Sequence, residues 1–168
     1  DILKEKFKHA VFIISHAPSV ERNQIEAIVA EHPCRMDVEI VSDRIDTVFG
    51  RSDIIVAASG TVTLQAAIHG TPMVIIYKVS PISFWVGRAL VRVPHIGLVN
   101  LVAGEQLVPE FVQNGASPGN IASAVENMLK NTDKLNHLKR QLFGLRDVLG
   151  GAGASDRVAD IALDMLKQ

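Results

Sequence analysis

At 168 residues the chain is long enough for one domain with a sizeable core and too short for two ordinary ones. Apolar residues make up 48% and charged residues 21%, a globular balance, and the net charge of -1 argues against a general nucleic-acid binder, since nothing offsets phosphate repulsion over a broad face. Cys34 is the single cysteine, which excludes an intrachain disulfide framework or a CxxC metal site and suits a reducing compartment, and neither a signal-peptide pattern nor a bilayer-spanning apolar run is present, so the expectation is a soluble or peripheral protein.

Taken in chain order, the first half alternates short apolar runs with amphipathic stretches. Residues 10–15 (AVFIIS) predict a buried strand and residues 19–31 the helix that follows it. Residues 37–41 predict a second strand and residues 44–51 a short helix. Residues 53–59 (DIIVAAS) predict a third strand, rich in β-branched residues and ending in small ones. The next helix is predicted over residues 61–69, stopped by Gly70 with Pro72 just beyond. Residues 73–79 (MVIIYKV) predict a fourth strand, residues 81–91 a further helix and residues 95–101 a fifth strand. Continuous apolar strands separated by helices indicate an α/β fold with a parallel sheet covered on both faces.

The second half turns helical. Ser117 followed by Pro118 makes an N-cap and first-turn pair, and Ile121, Ala124, Val125, Met128 and Leu129 then form one apolar stripe. Thr132 is the expected cap of the next helix, whose Leu135, Leu138, Leu142, Leu145 and Leu149 repeat at three- and four-residue steps. Gly150, Gly151 and Gly153 break it. Ser155 begins a last helix, with Val158, Ile161, Ala162 and Met165 expected inward. No repeat, low-complexity segment or linker divides the chain.

In an open parallel sheet, ligands bind beyond the C-terminal ends of the strands. That rule directs attention to Ser59-Gly60-Thr61, where the third strand turns into a helix. Gly60 lets a ligand approach the backbone closely, and the free N–H groups of the helix start, with the Ser59 and Thr61 hydroxyls, suit a phosphate or diphosphate. The competing account is that Ser59 or Thr61 merely caps the helix. Gln65 lies one helical turn beyond Thr61 on the same face, within reach of a ribose hydroxyl if the diphosphate sits at the helix start; alone, it would be a solvated position. Asn100 ends an apolar run (IGLV), which puts it at a strand's C-terminal end on the same rim as Ser59, where its amide either orients a ligand or organises a turn. In the predicted helix over residues 81–91, Ile82, Trp85, Val86, Ala89, Leu90 and Val93 fit one core face. Phe84, Arg88, Val91 and Arg92 lie opposite, an apolar and cationic face suited to acyl chains, anionic lipid or a partner domain.

Other chemistries find little support. A Walker loop and a GxGxxG fingerprint are both missing. The six histidines lack metal-ligand spacing, no GxSxG elbow presents Ser59 as a nucleophile, and no carboxylate pair is spaced for glycoside hydrolysis.

The string Ala58-Ser59-Gly60-Thr61-Val62-Thr63-Leu64, then Gly70-Thr71-Pro72-Met73-Val74 and Tyr77-Lys78, resembles the C-terminal half of lipid-A-disaccharide synthases. The likeness continues through Pro81, Phe84-Trp85, Asn100-Leu101, Ala103-Gly104, Pro109-Glu110 and Gln113 to Gly153-Ala154-Ser155. The strand–SGT–helix–GxP–strand portion is shared by many two-domain GT-B glycosyltransferases, whereas the segments after it are more specific. The resemblance implies a Rossmann-like, three-layer αβα donor domain over residues 1–168 with a helical C-terminus, docked in the full protein to an acceptor domain. It implies transfer of 2,3-diacylglucosamine from UDP to 2,3-diacylglucosamine 1-phosphate, with inversion and without a metal or other cofactor. By position, Ser59, Gly60 and Thr61 would face the diphosphate, Gln65 the ribose, and Asn100 and Gly104 the donor pocket, while Glu110 and Gln113 match family positions and are expected among the substrate-binding residues. A catalytic base is expected from the acceptor domain. The implied setting is cytoplasmic and peripheral to the inner membrane of a Gram-negative bacterium, with a homodimer compatible with it and no nucleic-acid partner.

Two departures stand out. The family usually carries Glu where this chain has Gln65, which keeps length and hydrogen bonding but loses the charge. The family's donor domain also begins with a strand ending in Gly-Ser-Arg, whereas residues 1–9 here read as the tail of the helix after that strand, with Ile2, Leu3 and Phe7 as its apolar face. The usual strand order of such sheets, 3-2-1-4-5-6, puts the first strand between residues 11–15 and residues 54–59. Those two segments are therefore expected to flank a strand-wide gap of roughly 9–10 Å, unpaired with each other, and the isolated chain is expected to be inactive. The rival readings are another UDP-sugar GT-B enzyme, such as a peptidoglycan GlcNAc transferase or a UDP-GlcNAc 2-epimerase, and a nucleotide-binding module without turnover.

Overall fold

The computed structural model describes residues 1–31, 38–42, 44–81, 84, 93–150 and 153–166. Helix α1 (Ile2–Lys6) leads into strand β1 (Phe12–Ser15), helix α2 (Arg22–Glu31), strand β2 (Val38–Val41) and helix α3 (Ile45–Arg51). Strand β3 (Ile55–Ala58), helix α4 (Thr61–Ile68) and strand β4 (Met73–Tyr77) follow. The second half holds helix α5 (Leu98–Ala103), strand β5 (Glu110–Val112), a 3-10 turn (Gln113–Gly115) and helices α6 (Pro118–Lys130), α7 (Thr132–Leu149) and α8 (Ala154–Leu166).

Among the described residues all strand pairings are parallel, as the βαβ alternation requires. They form two ladders, β1–β2 and β3–β4–β5. β1 meets β2 from Phe12 opposite Val38 to Ser15 opposite Val41. β3 meets β4 from Ile55 opposite Met73 to Ala58 opposite Ile76, and β4 meets β5 from Ile75 opposite Glu110 to Tyr77 opposite Val112. Among the described residues no ladder joins β1 to β3.

The core lies around β4, the central strand of the larger ladder. Met73, Val74 and Ile75 are buried, which explains their unbroken apolar run: a strand covered on both faces has no solvent side to mark with polar residues. Ala66 and Ala67 of α4, Val99 of α5, Val108, Phe49 of α3, and Leu142 and Leu145 of α7 join Met73 and Ile75 in one cluster. The two alanines let α4 approach its neighbours closely, so α7 and α5 both pack on it. Burying a side chain such as Leu142 stabilises by about 1.5–3 kcal/mol.

Several expectations are corrected. Residues 95–101 contain no strand. Instead α5 starts at Leu98, its buried Val99 facing the core, and the chain leaves it through Gly104 at φ 72°, a left-handed cap. A short apolar run suits a strand and a helical turn equally, and the glycine cap decided between them. The strand on that side of β4 is the three-residue β5, too short to show a period. Asn131, not Thr132, caps α7, accepting from the Lys134 N–H at 3.0 Å, whereas Ser117 caps α6 as expected and accepts from the Asn120 N–H at 3.3 Å. On α8, the four residues expected inward are exposed: Val158, Ile161 and Met165 at 65%, 62% and 73%, and Ala162 with them. Periodicity shows that a helix has an apolar face but does not say what covers it. The residue expected to complete the core face of the helix over residues 81–91, Val93, is exposed and lies outside any helix. Phe84, placed on the outer face, is half-buried, its N–H donating to the Ser80 carbonyl at 2.9 Å. Arg88, Val91 and Arg92, with Trp85 and its neighbours, lie outside the described residues. Among the described residues no helix is long and apolar enough to cross a membrane.

Candidate functional site

β3 delivers its last residue, Ala58, to the sheet's C-terminal rim, and Ser59 and Gly60 carry the chain into α4. Gly60 is the N-cap residue, and no side chain caps the helix. The reading of Ser59 or Thr61 as the cap is therefore corrected. The Ser59 hydroxyl donates to the Ile96 carbonyl at 3.0 Å, across the rim. Thr63, buried beneath the turn, donates both its hydroxyl and its N–H to the Gly60 carbonyl, at 2.7 and 3.1 Å. That pair turns the Gly60 carbonyl towards the helix, and the Ser59 N–H donates to the Ile76 carbonyl of β4 at 2.9 Å, which ties the turn to the sheet.

Gly60 is extended, at φ 167° and ψ -174°, a backbone that any residue adopts. A Cβ built on it would meet nothing within 4 Å. Neither backbone conformation nor crowding from the chain therefore requires glycine here, and open space lies in front of the turn. Thr61 and Gln65 are both exposed, one helical turn apart on the same face.

The side chains of Asn100, Glu110 and Gln113 are committed to partners within the chain. Asn100 sits within α5 and is fully buried, not at a strand end on the rim. Its Nδ2 donates to the Val108 carbonyl at 2.8 Å and to Glu110 Oε1 at 2.7 Å, and its Oδ1 accepts from the N–H groups of Leu107 and Val108 at 2.9 and 3.0 Å. Both amide hydrogens and both lone-pair directions are in use. Glu110, the first residue of β5, also accepts from the Ile96 N–H at 2.8 Å and the Gly97 N–H at 3.0 Å. Gln113 pairs its amide with the Val79 backbone. Gly104 serves as the left-handed cap of α5.

The structure thus brings the predicted residues into two groups. Ser59, Gly60, Thr61 and Gln65 form an outward-facing turn and helix face. Asn100, Glu110 and Gln113 form a scaffold behind it, linked to the turn by Ile96. The scaffold partners Ile96, Gly97, Val108 and Val79 act through their backbone atoms, which no side-chain motif announces; only Gly97 carries a sequence signal, as a glycine between apolar residues. The sequence reading also passed over an open depression of about 530 Å³ beyond the end of β1, lined by His16, Ser19, Arg22 and Asn23 among others. There His16 Nδ1 lies 3.0 Å from the Ser42 hydroxyl, and its Nε2 contacts the Val20 carbonyl. Among the described residues no group of three His, Cys, Asp or Glu side chains is placed to hold a metal ion.

A family model described as lipid-A-disaccharide synthetase matches residues 1–151. The lipid-A-disaccharide synthase of Syntrophotalea carbinolica is 39% identical over 166 residues, covering 99% of this chain and 42% of that protein. The synthase of Geobacter sulfurreducens is 41% identical over 164 residues, with 98% and 42% covered, and that of Geobacter metallireducens 39% identical over 167 residues, with 98% and 42% covered. The chain therefore spans about two-fifths of the length of these curated relatives, at 42% of each. Matched by the family model over most of its length and by relatives near 40% identity over nearly all of it, the chain belongs to the lipid-A-disaccharide synthetase family.

Proposed function

We propose that this chain is the C-terminal, donor-nucleotide domain of a two-domain GT-B glycosyltransferase. The enzyme transfers 2,3-diacylglucosamine from UDP to 2,3-diacylglucosamine 1-phosphate, forming lipid A disaccharide 1-phosphate at the cytoplasmic face of the inner membrane. The observation that carries the reading is the Ser59-Gly60-Thr61 turn: an uncapped helix start at the C-terminal end of β3, with open space at Gly60. Membership of the lipid-A-disaccharide synthetase family supports this choice of nucleotide sugar.

The chemistry follows from the turn. The first N–H groups of α4 have no intrahelical acceptor, and the helix dipole adds partial positive charge at that end. A diphosphate seated there is held by backbone donors, and its leaving-group charge is stabilised as the glycosidic bond to the donor sugar breaks. The Thr61 hydroxyl adds a donor, and Gln65, one turn on, reaches a ribose hydroxyl. Asn100, Glu110, Gln113 and Gly104 shape the pocket from behind. The acceptor, and the base that takes the proton from its hydroxyl, belong to the other domain. On this reading the chain alone is inactive.

Titration of UDP into the full-length enzyme and its Gly60→Val variant tests the assignment. A Cβ at Gly60 meets nothing within 4 Å, so the variant should remain folded, with at most the small loss of a poorer N-cap residue, and lose UDP binding. Unchanged UDP affinity in the folded variant would remove the diphosphate from this turn.

A further inference from the structure

We infer that Glu110 is a positioning residue of the Ser59-Gly60-Thr61 turn, acting through the Ile96 peptide to fix where the Ser59 hydroxyl proton points. This rests on the proposed reading of the turn as the diphosphate site and adds how its hydroxyl is aimed. Ser59 has a single O–H, and it is donated to the Ile96 carbonyl at 3.0 Å. What Ser59 presents outward is oxygen lone pairs. A diphosphate oxygen only accepts, so while this bond stands the ligand is held by the turn's N–H groups and the Thr61 hydroxyl, and Ser59 serves to place them.

The peptides on both sides of Ile96 are themselves held. The Gly97 N–H, which shares a planar peptide unit with the Ile96 carbonyl, donates to Glu110 Oε1 at 3.0 Å, the Ile96 N–H of the preceding unit to Glu110 Oε2 at 2.8 Å, and Asn100 Nδ2 to Oε1 at 2.7 Å. One carboxylate thus takes three donors and fixes two consecutive peptide units, which a side chain with one acceptor oxygen and one donor nitrogen cannot do. Gly97 shows how close the approach is. A Cβ there would collide with Ile75 Cδ1 and lie 2.9 Å from Glu110 Oε1. Asn100, the third donor, is locked in turn by Leu107 and Val108. The chain of contacts therefore runs from β5 through Glu110 to Ile96 and ends at the Ser59 hydroxyl.

The test uses the full-length protein with Glu110→Gln and Ser59→Ala, singly and together. It reads peptide-resolved hydrogen exchange over residues 55–64 and 93–100, and UDP affinity by calorimetry. In Glu110→Gln the amide oxygen takes the place of Oε1 with its two donors, and the amide NH2 then faces the Ile96 N–H, donor against donor. Exchange is expected to rise about tenfold in both segments and UDP binding to weaken about tenfold, the scale of one hydrogen bond. In the Ser59→Ala background the same change should still loosen residues 93–100, yet add less than about twofold to exchange over residues 55–64 or to the UDP dissociation constant. Glu110→Asp, which keeps both acceptors but withdraws them by one methylene, replaces Gln with the same expected outcomes if the Gln variant does not fold. The inference is overturned if residues 93–100 loosen while residues 55–64 stay at wild-type exchange, or if the Glu110 effect is as large without the Ser59 hydroxyl. A wild-type protein that fails to bind UDP would remove the donor-site reading, and the exchange comparison would still decide the role of Glu110.

Discussion

Gln113 and Val79 exchange two hydrogen bonds through one side-chain amide: Gln113 Nε2 donates to the Val79 carbonyl at 2.9 Å, and the Val79 N–H donates to Gln113 Oε1 at 2.9 Å. The last backbone pair between β4 and β5 is Tyr77 opposite Val112, so the amide continues the ladder beyond the point where the chain turns away. Gln113 is held at φ 50°, a left-handed backbone that a non-glycine residue adopts at a cost of about 1–3 kcal/mol. The paired bonds offset that strain.

Gln113→Ala keeps the strain and loses both bonds, and should destabilise the protein by about 2 kcal/mol in urea unfolding. Gln113→Gly loses the bonds but relieves the backbone, and should cost about 1 kcal/mol less. Equal losses for the two would mean that the φ value carries no energetic penalty.

Asn100→Asp is nearly isosteric and should still be severe. An oxygen replaces Nδ2 beside the Val108 carbonyl and Glu110 Oε1, so two acceptors lose their donor and a second carboxylate faces Glu110. Asn100→Ala leaves two buried N–H groups, of Leu107 and Val108, without their acceptor. Both variants should lose about 3 kcal/mol or more in equilibrium unfolding. Normal stability with reduced turnover would instead indicate direct ligand contact by Asn100.

The close approach at Gly97 yields a paired test. Gly97→Ala should cost about 1–3 kcal/mol, because the new methyl overpacks against Ile75 Cδ1. Ile75→Val deletes that atom and costs about 0.5–1.5 kcal/mol alone. Combined, the two should destabilise by less than their sum, a coupling that urea unfolding of all four proteins measures directly.

Acid should loosen α1 from α6. Glu126 on α6 accepts from Lys130 at 2.6 Å and also pairs with Lys6 on α1. The hydrogen bond from Lys130, then that from Lys6, hold its carboxyl below the ordinary value of 4.5. A carboxylate depressed in the folded state binds its proton more readily once unfolded. Its contribution is therefore complete above the ordinary value and fades as pH falls from there through the depressed one. Protection over residues 2–6, taken as exchange relative to the intrinsic rate at each pH, should fall between pH 6 and pH 3 in the wild type, and Glu126→Gln should already show the lowered protection at pH 6. A flat pH response in the wild type would show that the α1–α6 contact does not depend on this pair.

Two apolar positions with similar sequence signals should behave in opposite ways. Leu142→Ala empties a fully buried site and should cost about 2–5 kcal/mol, whereas Ile161→Ser, at a position 62% exposed, should stay within about 0.5 kcal/mol in this chain. Scanning unfolding of both variants makes the comparison.

The amino-acid sequence by itself determined the order of β1 to β4 and α1 to α4, because each is a run whose period or apolar continuity is set locally. It likewise located the Ser59-Gly60-Thr61 turn, since the end of a parallel strand followed by a helix start is a one-dimensional pattern. Residues 95–101 were not legible, because the same apolar run suits a strand until Gly104 turns left-handed and Val99 finds the core. Nor was β5, whose three residues become a strand only by pairing with β4. The roles of Asn100, Glu110 and Gln113 were decided by the tertiary structure alone: their polar side chains look outward-facing in sequence and are consumed by backbone groups of Val108, Ile96, Gly97 and Val79. A hydrogen bond to a main-chain atom leaves no mark on the partner's residue type, so such a scaffold appears only once the chain has folded and distant peptides meet.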